Sequence, residues 1–151
     1  MAKKVYVLNG PNLNLLGTRE PEKYGSSTLK DVEKLCRDAA KRFSFDLAFH
    51  QSNHEGAIID WIHEAAEKKA VGIVLNPAGH TTTSISIMDA ILGAKIPVIE
   101  VHITNIHARE SFRHNSYISL AAKGVICGLG VQGYVLAIEG LAAMTGAAAK
   151  R

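Results

Sequence analysis

The feature that most limits how this sequence can fold is an alternation of short apolar runs with longer segments of helical periodicity. This alternation is typical of right-handed βαβ units built around a parallel sheet. The apolar runs have strand length, and they occupy residues 5–8, 46–49, 72–75, 98–101 and 125–127. Apolar residues three and four positions apart, the spacing of a buried helical stripe, predict helices at residues 29–43, 58–66, 85–92 and 134–144.

The strand runs are apolar at most positions, so both faces of the predicted sheet should be covered by helices. We therefore predict an α/β fold, a flavodoxin-like three-layer sandwich with a five-stranded parallel sheet of order 2-1-3-4-5. Other strand orders remain compatible with the sequence. The length of 151 residues fits a single domain over residues 1–151. Residues 147–151, after Gly146, are expected to form a frayed tail because they have nothing to bury.

The composition is that of a globular protein, with 47% hydrophobic and 21% charged residues. The net charge of +3 is small, and the lysines and arginines are scattered along the sequence, so nucleic-acid binding is not indicated. A mildly basic surface would still favour a small anionic substrate. The first apolar run is too short for a signal peptide or a membrane span, so we expect a cytoplasmic protein without membrane contact. Cys36 and Cys127 are interpreted as small buried apolar residues rather than as a disulfide or a catalytic thiol.

Polar residues follow strands one, three and four of the predicted sheet. In an open parallel sheet the ligand crevice lies beyond the carboxyl ends of the strands, where the strand order reverses. Asn12 follows strand one, Asn76 follows strand three, and Glu100 and His102 lie at the end of strand four. Glu100 and His102 are two residues apart in an extended segment, so they share a face, and Glu100 could orient the imidazole or stabilise its charged form. This pattern suits a general acid, and its alternative is a buried histidine without a catalytic role.

The segment 17–27 is rich in turn formers and charge, and it predicts an exposed loop at the same edge of the sheet. Loops of this length beside a ligand site are frequently lids. Tyr24 in this loop is a candidate base if a nearby cation stabilises its phenolate, and Arg19 is a candidate for that cation. Alternatively, both side chains lie exposed on a mobile loop.

Other residues carry weaker signals. Arg113 supplies another cation near the same edge, suited to hydroxyl or carboxylate contacts, or else belongs to a solvated basic turn. His50, His54 and Glu55 span a strand end and a loop rather than one helical face, so no metal site is predicted. The sequence contains neither a G-x-G-x-x-G motif nor a P-loop, and the turn after strand one lacks the hydroxyls that would hold a flavin phosphate. We therefore predict no cofactor.

Four long segments carry a resemblance to a known family: NGPNLNLLGTREPEKYG, FHQSNHEGAIIDWIHEA, IPVIEVHITNIHARESFRH and GVICGLGVQGYVLAIEGL. Together they resemble the type II 3-dehydroquinate dehydratases almost from end to end. The resemblance implies a flavodoxin-like fold, a homo-oligomer that is usually a dodecamer (a tetramer of trimers), and a lyase activity without a cofactor. The implied reaction is the anti elimination of water from 3-dehydroquinate to give 3-dehydroshikimate through an enolate, without a Schiff-base lysine.

The resemblance also implies roles for individual residues. Tyr24 would be the base, Arg19 the group that activates it and stabilises charge, and His102 the acid that protonates the leaving hydroxyl. Asn12 would help to bind the enolate oxygen through a water molecule, and Glu100 would be the partner of His102. The residues that would bind substrate are Asn76, Thr82, Asp89, Arg113 and the main chain of Ile103 and Thr104, which would receive its carboxylate. The residue matching Asp89 can reach a neighbouring subunit's site in this family.

One segment departs from the family's pattern. Thr82 stands where a substrate-contacting histidine is expected, and Met88 stands where an arginine is expected. Either Thr82 with a bridging water, or His80 swung inward, replaces the contact, or the pocket prefers a related substrate. The loss of a buried hydrogen-bond partner typically costs about 1–3 kcal/mol. The proton-transfer residues are all retained, which favours the same activity.

Two other functions remain compatible with the sequence. A flavodoxin-like module could bind a small anion without turnover, and a dehydratase could act on a related cyclic hydroxy acid. The step from dehydroquinate serves both the shikimate pathway of aromatic amino acid biosynthesis and quinate catabolism, and the sequence does not distinguish these roles.

Overall fold

The computed structural model describes residues 2–18 and 20–150, which form a three-layer α/β sandwich. Its strands are β1 (Lys3–Asn9), β2 (Phe45–Gln51), β3 (Gly72–Asn76), β4 (Val98–His102) and β5 (Gly124–Cys127). Its helices are α1 (Pro21–Tyr24), α2 (Leu29–Arg42), α3 (Glu55–Glu67), α4 (Ile85–Ala94) and α5 (Gln132–Thr145).

The strands form one parallel sheet with the order β2-β1-β3-β4-β5, which confirms the predicted topology. Each predicted strand lies within the observed one, and three of the four predicted helices do likewise. The first predicted helix extends one residue beyond α2, because Phe43 forms the C-cap of that helix. In the sheet register Asn9 lies opposite both Gln51 and Asn76, so the polar ends of neighbouring strands meet at one edge.

The sheet separates two hydrophobic cores. Alternate residues of β1 face opposite sides, so Val5 and Val7 pack in the core under α2 and α5, whereas Tyr6 and Leu8 pack in the core under α3 and α4. All four residues are fully buried, which explains why the sequence of this strand is apolar at consecutive positions.

Local signals set the ends of two helices. At the start of α2, Thr28 accepts a hydrogen bond from the Asp31 N–H, and the Asp31 carboxylate accepts one from the Thr28 N–H. The Thr28 N–H stabilises the carboxylate form and so lowers the pKa of Asp31. At the end of α5, Gly146 adopts a left-handed conformation with φ of 73°, which glycine adopts at little cost.

The structure differs from the sequence-based expectations at two places. The segment expected to be a loop contains the short helix α1. Cys36 is fully buried as predicted, but the prediction that Cys127 is buried is wrong, since it is only partly covered. Cys127 ends β5, an edge strand with a neighbour on one side only. No helix within the described residues is long and apolar enough to cross a membrane.

Candidate active site

A cavity of about 270 Å³ opens at the carboxyl edge of the sheet, close to the ends of β1, β3 and β4. Its position is the one that strand order predicts for a ligand crevice, and its size suits a small molecule. Eight of the predicted site residues line it: Asn12, Tyr24, Asn76, Thr82, His102, Ile103, Thr104 and Arg113.

His102 and Glu100 form a buried pair at the end of β4. The side chain of His102 is only 6% exposed and that of Glu100 is fully buried. His102 Nε2 forms a hydrogen bond with Glu100 Oε2 at 2.5 Å, in agreement with the expected shared face. Since Nε2 is engaged by the carboxylate, Nδ1 is the ring nitrogen left for a ligand in the cavity. The same carboxylate accepts hydrogen bonds from the hydroxyls of Ser116 and Ser119.

Tyr24, the last residue of α1, is half-buried at the wall of the cavity. Arg109 Nη1 donates to the Tyr24 hydroxyl at 3.1 Å and to Thr104 Oγ1 at 3.3 Å. The guanidinium carbon lies 5.7 Å from the centroid of the Tyr24 ring. A cation at this position stabilises a phenolate. Arg19, which the sequence suggested for this role, lies outside the described residues.

A buried network holds Asn76 at the end of β3. Its Nδ2 donates to the Tyr134 hydroxyl at 2.9 Å, and that hydroxyl donates to Asn9 Oδ1 at 2.7 Å. The Ala78 N–H donates to Asn76 Oδ1 at 3.1 Å, which fixes the orientation of the amide. Burial raises the pKa of Tyr134, so its hydroxyl keeps the proton that this network uses. An amide nitrogen has two hydrogens, and the second one on Asn76 has no partner among residues 2–18 and 20–150.

The turn after β1 lies against the turn after β3. Gly10 makes this approach possible, because a Cβ at its position would lie 2.5 Å from the carbonyl oxygen of Pro77. Its N–H donates to the Asn76 carbonyl at 2.9 Å. Asn12 follows in a left-handed conformation with φ of 69°, and its N–H donates to Asn53 Oδ1 at 3.0 Å. These contacts bring Asn12 to the same cavity as Asn76.

The segment that departs from the family's pattern forms a 3-10 helix, Ala78–Thr82. Thr82 lines the cavity, whereas His80 does not. The Nε2 atom of His80 is buried and has no hydrogen-bond partner among the described residues. Thr82, and not His80, therefore occupies the cavity wall where the family's histidine is expected.

The remaining predicted site residues have different surroundings. Arg113 lines the cavity while its Nε donates to Glu110 Oε2 at 2.8 Å. Asp89 is exposed on α4 and does not line the cavity of this chain. His50 stacks on Trp61 with 4.5 Å between ring centroids, and His54 is exposed before α3.

Sequence reasoning missed Arg109, Tyr134 and the two serines that contact Glu100. Arg109 and Tyr134 lie within the family-like segments, but no spacing rule pairs Arg109 with a tyrosine 85 residues away. Tyr134 follows the helical apolar pattern, which predicts burial but not a hydroxyl contact at the site. Only the folded chain identifies these partners.

Comparisons with known proteins agree with the fold. The family model described as dehydroquinase class II matches residues 3–142. A 3-dehydroquinate dehydratase of Acidovorax ebreus is 62% identical over 146 residues, which cover 94% of this chain and 99% of that protein.

Two solved structures are similar along almost the whole chain. The type II dehydroquinase of Propionibacterium acnes is 43% identical with a TM-score of 0.90, and the match covers 95% of this chain and 98% of that one. The type II dehydroquinase of Butyrivibrio crossotus is 42% identical with a TM-score of 0.90, covering 93% and 97%. The family model, the sequence relatives and the solved structures agree along nearly the full length, and the chain belongs to the class II dehydroquinase family.

Proposed function

We propose that this protein is a 3-dehydroquinate dehydratase, a carbon-oxygen lyase that removes water from 3-dehydroquinate to give 3-dehydroshikimate. The observation that carries the proposal is the presence of two proton-transfer groups on one cavity. Tyr24 contacts a guanidinium there, and His102 contacts a buried carboxylate. An elimination of water requires a base that removes a carbon-bound proton and an acid that protonates the leaving hydroxyl.

Tyr24 acts as the base in this mechanism. A proton next to a ketone can be removed once the oxyanion of the resulting enolate is stabilised. The Arg109 guanidinium, 3.1 Å from the Tyr24 oxygen, favours the phenolate that accepts this proton. Arg19 takes part in the same stabilisation of charge, and Asn12 helps to hold the enolate oxygen through a water molecule. No lysine lines the described part of the cavity, which supports an enolate rather than a Schiff base.

His102 acts as the acid. As an imidazolium it donates its Nε2 proton to Glu100 in a hydrogen bond and presents its Nδ1 proton to the cavity. The tertiary hydroxyl of the substrate takes the Nδ1 proton and leaves as water. The base and the acid act on opposite faces of the ring, which gives the anti stereochemistry.

The remaining site residues bind and orient the substrate. Asn76, Thr82 and Arg113 offer hydrogen bonds to hydroxyl and carboxylate oxygens, and the main chain at Ile103 and Thr104 receives the carboxylate. Asp89 reaches the site of a neighbouring subunit in a homo-oligomer, which we propose is a dodecamer built from four trimers. The exposed position of Asp89 on α4 is compatible with this role. We also propose that the enzyme works in the cytoplasm.

The test follows the absorbance of the conjugated enone that forms from dehydroquinate. We expect wild-type protein to produce this absorbance and Tyr24→Phe to lose it while keeping its fold by circular dichroism. Tyr6→Phe is the matched control, because it deletes the same atom from a tyrosine that contacts Glu64 under α3 and does not line the cavity. Near-normal turnover by Tyr24→Phe would refute the base assignment.

A second activity, on a related cyclic hydroxy acid, is favoured by one observation. Thr82 is shorter than the expected histidine, so this wall of the cavity offers a different hydrogen-bond partner. A panel of cyclic hydroxy acids separates the two activities by their kcat/KM values. Binding of dehydroquinate without enone absorbance from any substrate would indicate an anion-binding module instead.

A further inference from the structure

The Asn76 amide is the last member of a series of hydrogen bonds that begins at a main-chain carbonyl of the edge strand β2. Asn9 Nδ2 donates to the His50 carbonyl at 3.1 Å, and the Tyr134 hydroxyl donates to Asn9 Oδ1 at 2.7 Å. The same hydroxyl accepts a hydrogen bond from Asn76 Nδ2 at 2.9 Å. Asn9 and Tyr134 are fully buried, and Asn76 is 4% exposed. These side chains therefore have no water with which to exchange partners freely.

Two main-chain groups fix the direction of these hydrogen bonds. A carbonyl oxygen can only accept, so Asn9 must turn its nitrogen toward His50 and its oxygen toward Tyr134. A phenol has one hydrogen, and because Tyr134 donates it to Asn9, it can only accept from Asn76. At the other end the Ala78 N–H can only donate, so it selects the oxygen of the Asn76 amide. The Asn76 amide therefore cannot exchange its oxygen and nitrogen without leaving buried groups unpaired.

We propose that Tyr134 and Asn9 are positioning residues that make Asn76 a hydrogen-bond donor to the substrate. The identity of the substrate rests on the proposed function, whereas the direction of the hydrogen bonds does not. Asn76 lines the cavity, and its second Nδ2 hydrogen has no partner within the described residues. Tyr134 and Asn9 do not line the cavity, so they act through Asn76. The ligand atom at this wall must then be an acceptor, the oxygen of a hydroxyl, carbonyl or carboxylate group and not an ammonium group.

The main chain around Asn76 is held independently of the Tyr134 hydroxyl. The Gly10 N–H donates to the Asn76 carbonyl at 2.9 Å, and Asn9 lies opposite Asn76 in the parallel register of β1 and β3. The ring of Tyr134 packs in the core under α2 and α5, and this packing does not require the hydroxyl. Loss of the hydroxyl should therefore release the amide of Asn76 while the end of β3 stays in place.

The first test compares KM values for dehydroquinate, measured from initial rates of enone absorbance. Tyr134→Phe removes the acceptor of the Asn76 amide, and we expect KM to rise by a factor of roughly 2 to 12, which corresponds to one hydrogen bond. Because Asn76 contacts the substrate and the transition state alike, kcat should stay within about threefold of wild type. Tyr6→Phe is the matched control, since it removes the hydroxyl of another fully buried tyrosine that does not line the cavity. Its KM should equal that of wild type.

A double variant separates positioning from a general loosening of the fold. In the background of Asn76→Ala, Tyr134→Phe should have no further effect on KM, because it acts through the amide that is already absent. A wild-type KM in folded Tyr134→Phe would overturn the proposal. So would an equal rise in KM with and without Asn76, because that result would assign the effect to the fold.

NMR of the side-chain amide provides a measurement that does not depend on turnover. The two Nδ2 protons of Asn76 are assigned by the loss of their signals in Asn76→Ala. In Tyr134→Phe the proton that contacts the hydroxyl should shift upfield, whereas Tyr6→Phe should leave both signals in place. Unchanged Asn76 signals in Tyr134→Phe would overturn the proposed orientation.

The same signals report on the ligand. In Tyr24→Phe, which we expect to bind dehydroquinate without turning it over, saturation with dehydroquinate should shift the second Nδ2 proton of Asn76 downfield. Unshifted amide protons at saturation would show that Asn76 is not a donor to the substrate and would overturn the proposal. If wild-type protein does not turn over dehydroquinate, the proposed function fails, while the NMR signals of the free protein still test the orientation of the amide.

Discussion

Removal of the Arg109 side chain should slow proton abstraction more than it weakens substrate binding. Arg109→Ala deletes the donor that lies 3.1 Å from the Tyr24 oxygen, on a side chain that is only 17% exposed. At an effective dielectric constant of about 20, two unit charges at that distance attract each other by about 5 kcal/mol. Water entering the vacated space offsets part of this attraction. A hydrogen bond to a charged group contributes about 1.5–3 kcal/mol, so we expect kcat to fall by a factor of roughly 10 to 150.

The assay is the enone absorbance of purified variants. Arg109→Lys restores a positive charge without the planar guanidinium group. Its kcat should therefore lie between that of wild type and that of Arg109→Ala. The matched control is Arg37→Ala, which removes an exposed arginine paired with Glu33 on α2 and should retain wild-type kcat. If kcat of Arg109→Ala stays within about threefold of wild type, the guanidinium does not activate the base.

Three further predictions concern other parts of the chain. Thr82→His should lower KM for dehydroquinate, measured by initial rates, and an unchanged or higher KM would show that the site binds its substrate in another way. Tyr134→Phe should lower the free energy of unfolding by about 1–3 kcal/mol in a urea titration, because it leaves buried amide groups without their partner; an unchanged midpoint would contradict this role. Burial raises the pKa of the Cys36 thiol to about 12, so a thiol reagent at mildly alkaline pH should label Cys127 and spare Cys36 until the protein unfolds. Equal labelling of both thiols in the native protein would contradict the burial of Cys36.

The fold was predictable because a strand that is covered on both faces of the sheet has apolar residues at consecutive positions of the sequence. Residues 72–75 are apolar without interruption, and in the structure they form part of a central strand covered on both sides. Cys127 shows the limit of this signal, because an edge strand has the same short apolar run with less cover. Apolar runs identify strands but do not distinguish the centre of a sheet from its edge.

The site was predictable where residues lie near each other in sequence or at matching strand ends. The contact between Glu100 and His102 follows from a spacing of two residues in a strand. The contact between Tyr24 and Arg109 does not follow from the sequence. Tyr24 ends the short helix α1 and Arg109 follows a 3-10 helix, and hydrophobic periodicity does not predict how two such short elements pack. The assignment of Arg19 as the activating cation stays a prediction.

The hydroxyl of Tyr134 makes completion of the binding pocket depend on α5, which is synthesised after every strand of the sheet. The residues that line the cavity all precede residue 114, and the sheet is complete at Cys127. A nascent chain at that stage has every lining side chain, but the amides of Asn9 and Asn76 still lack their shared partner. We therefore expect chains that stop before α5 to carry every lining side chain without an ordered pocket. A truncation series on the ribosome should gain ligand binding only once α5 has emerged.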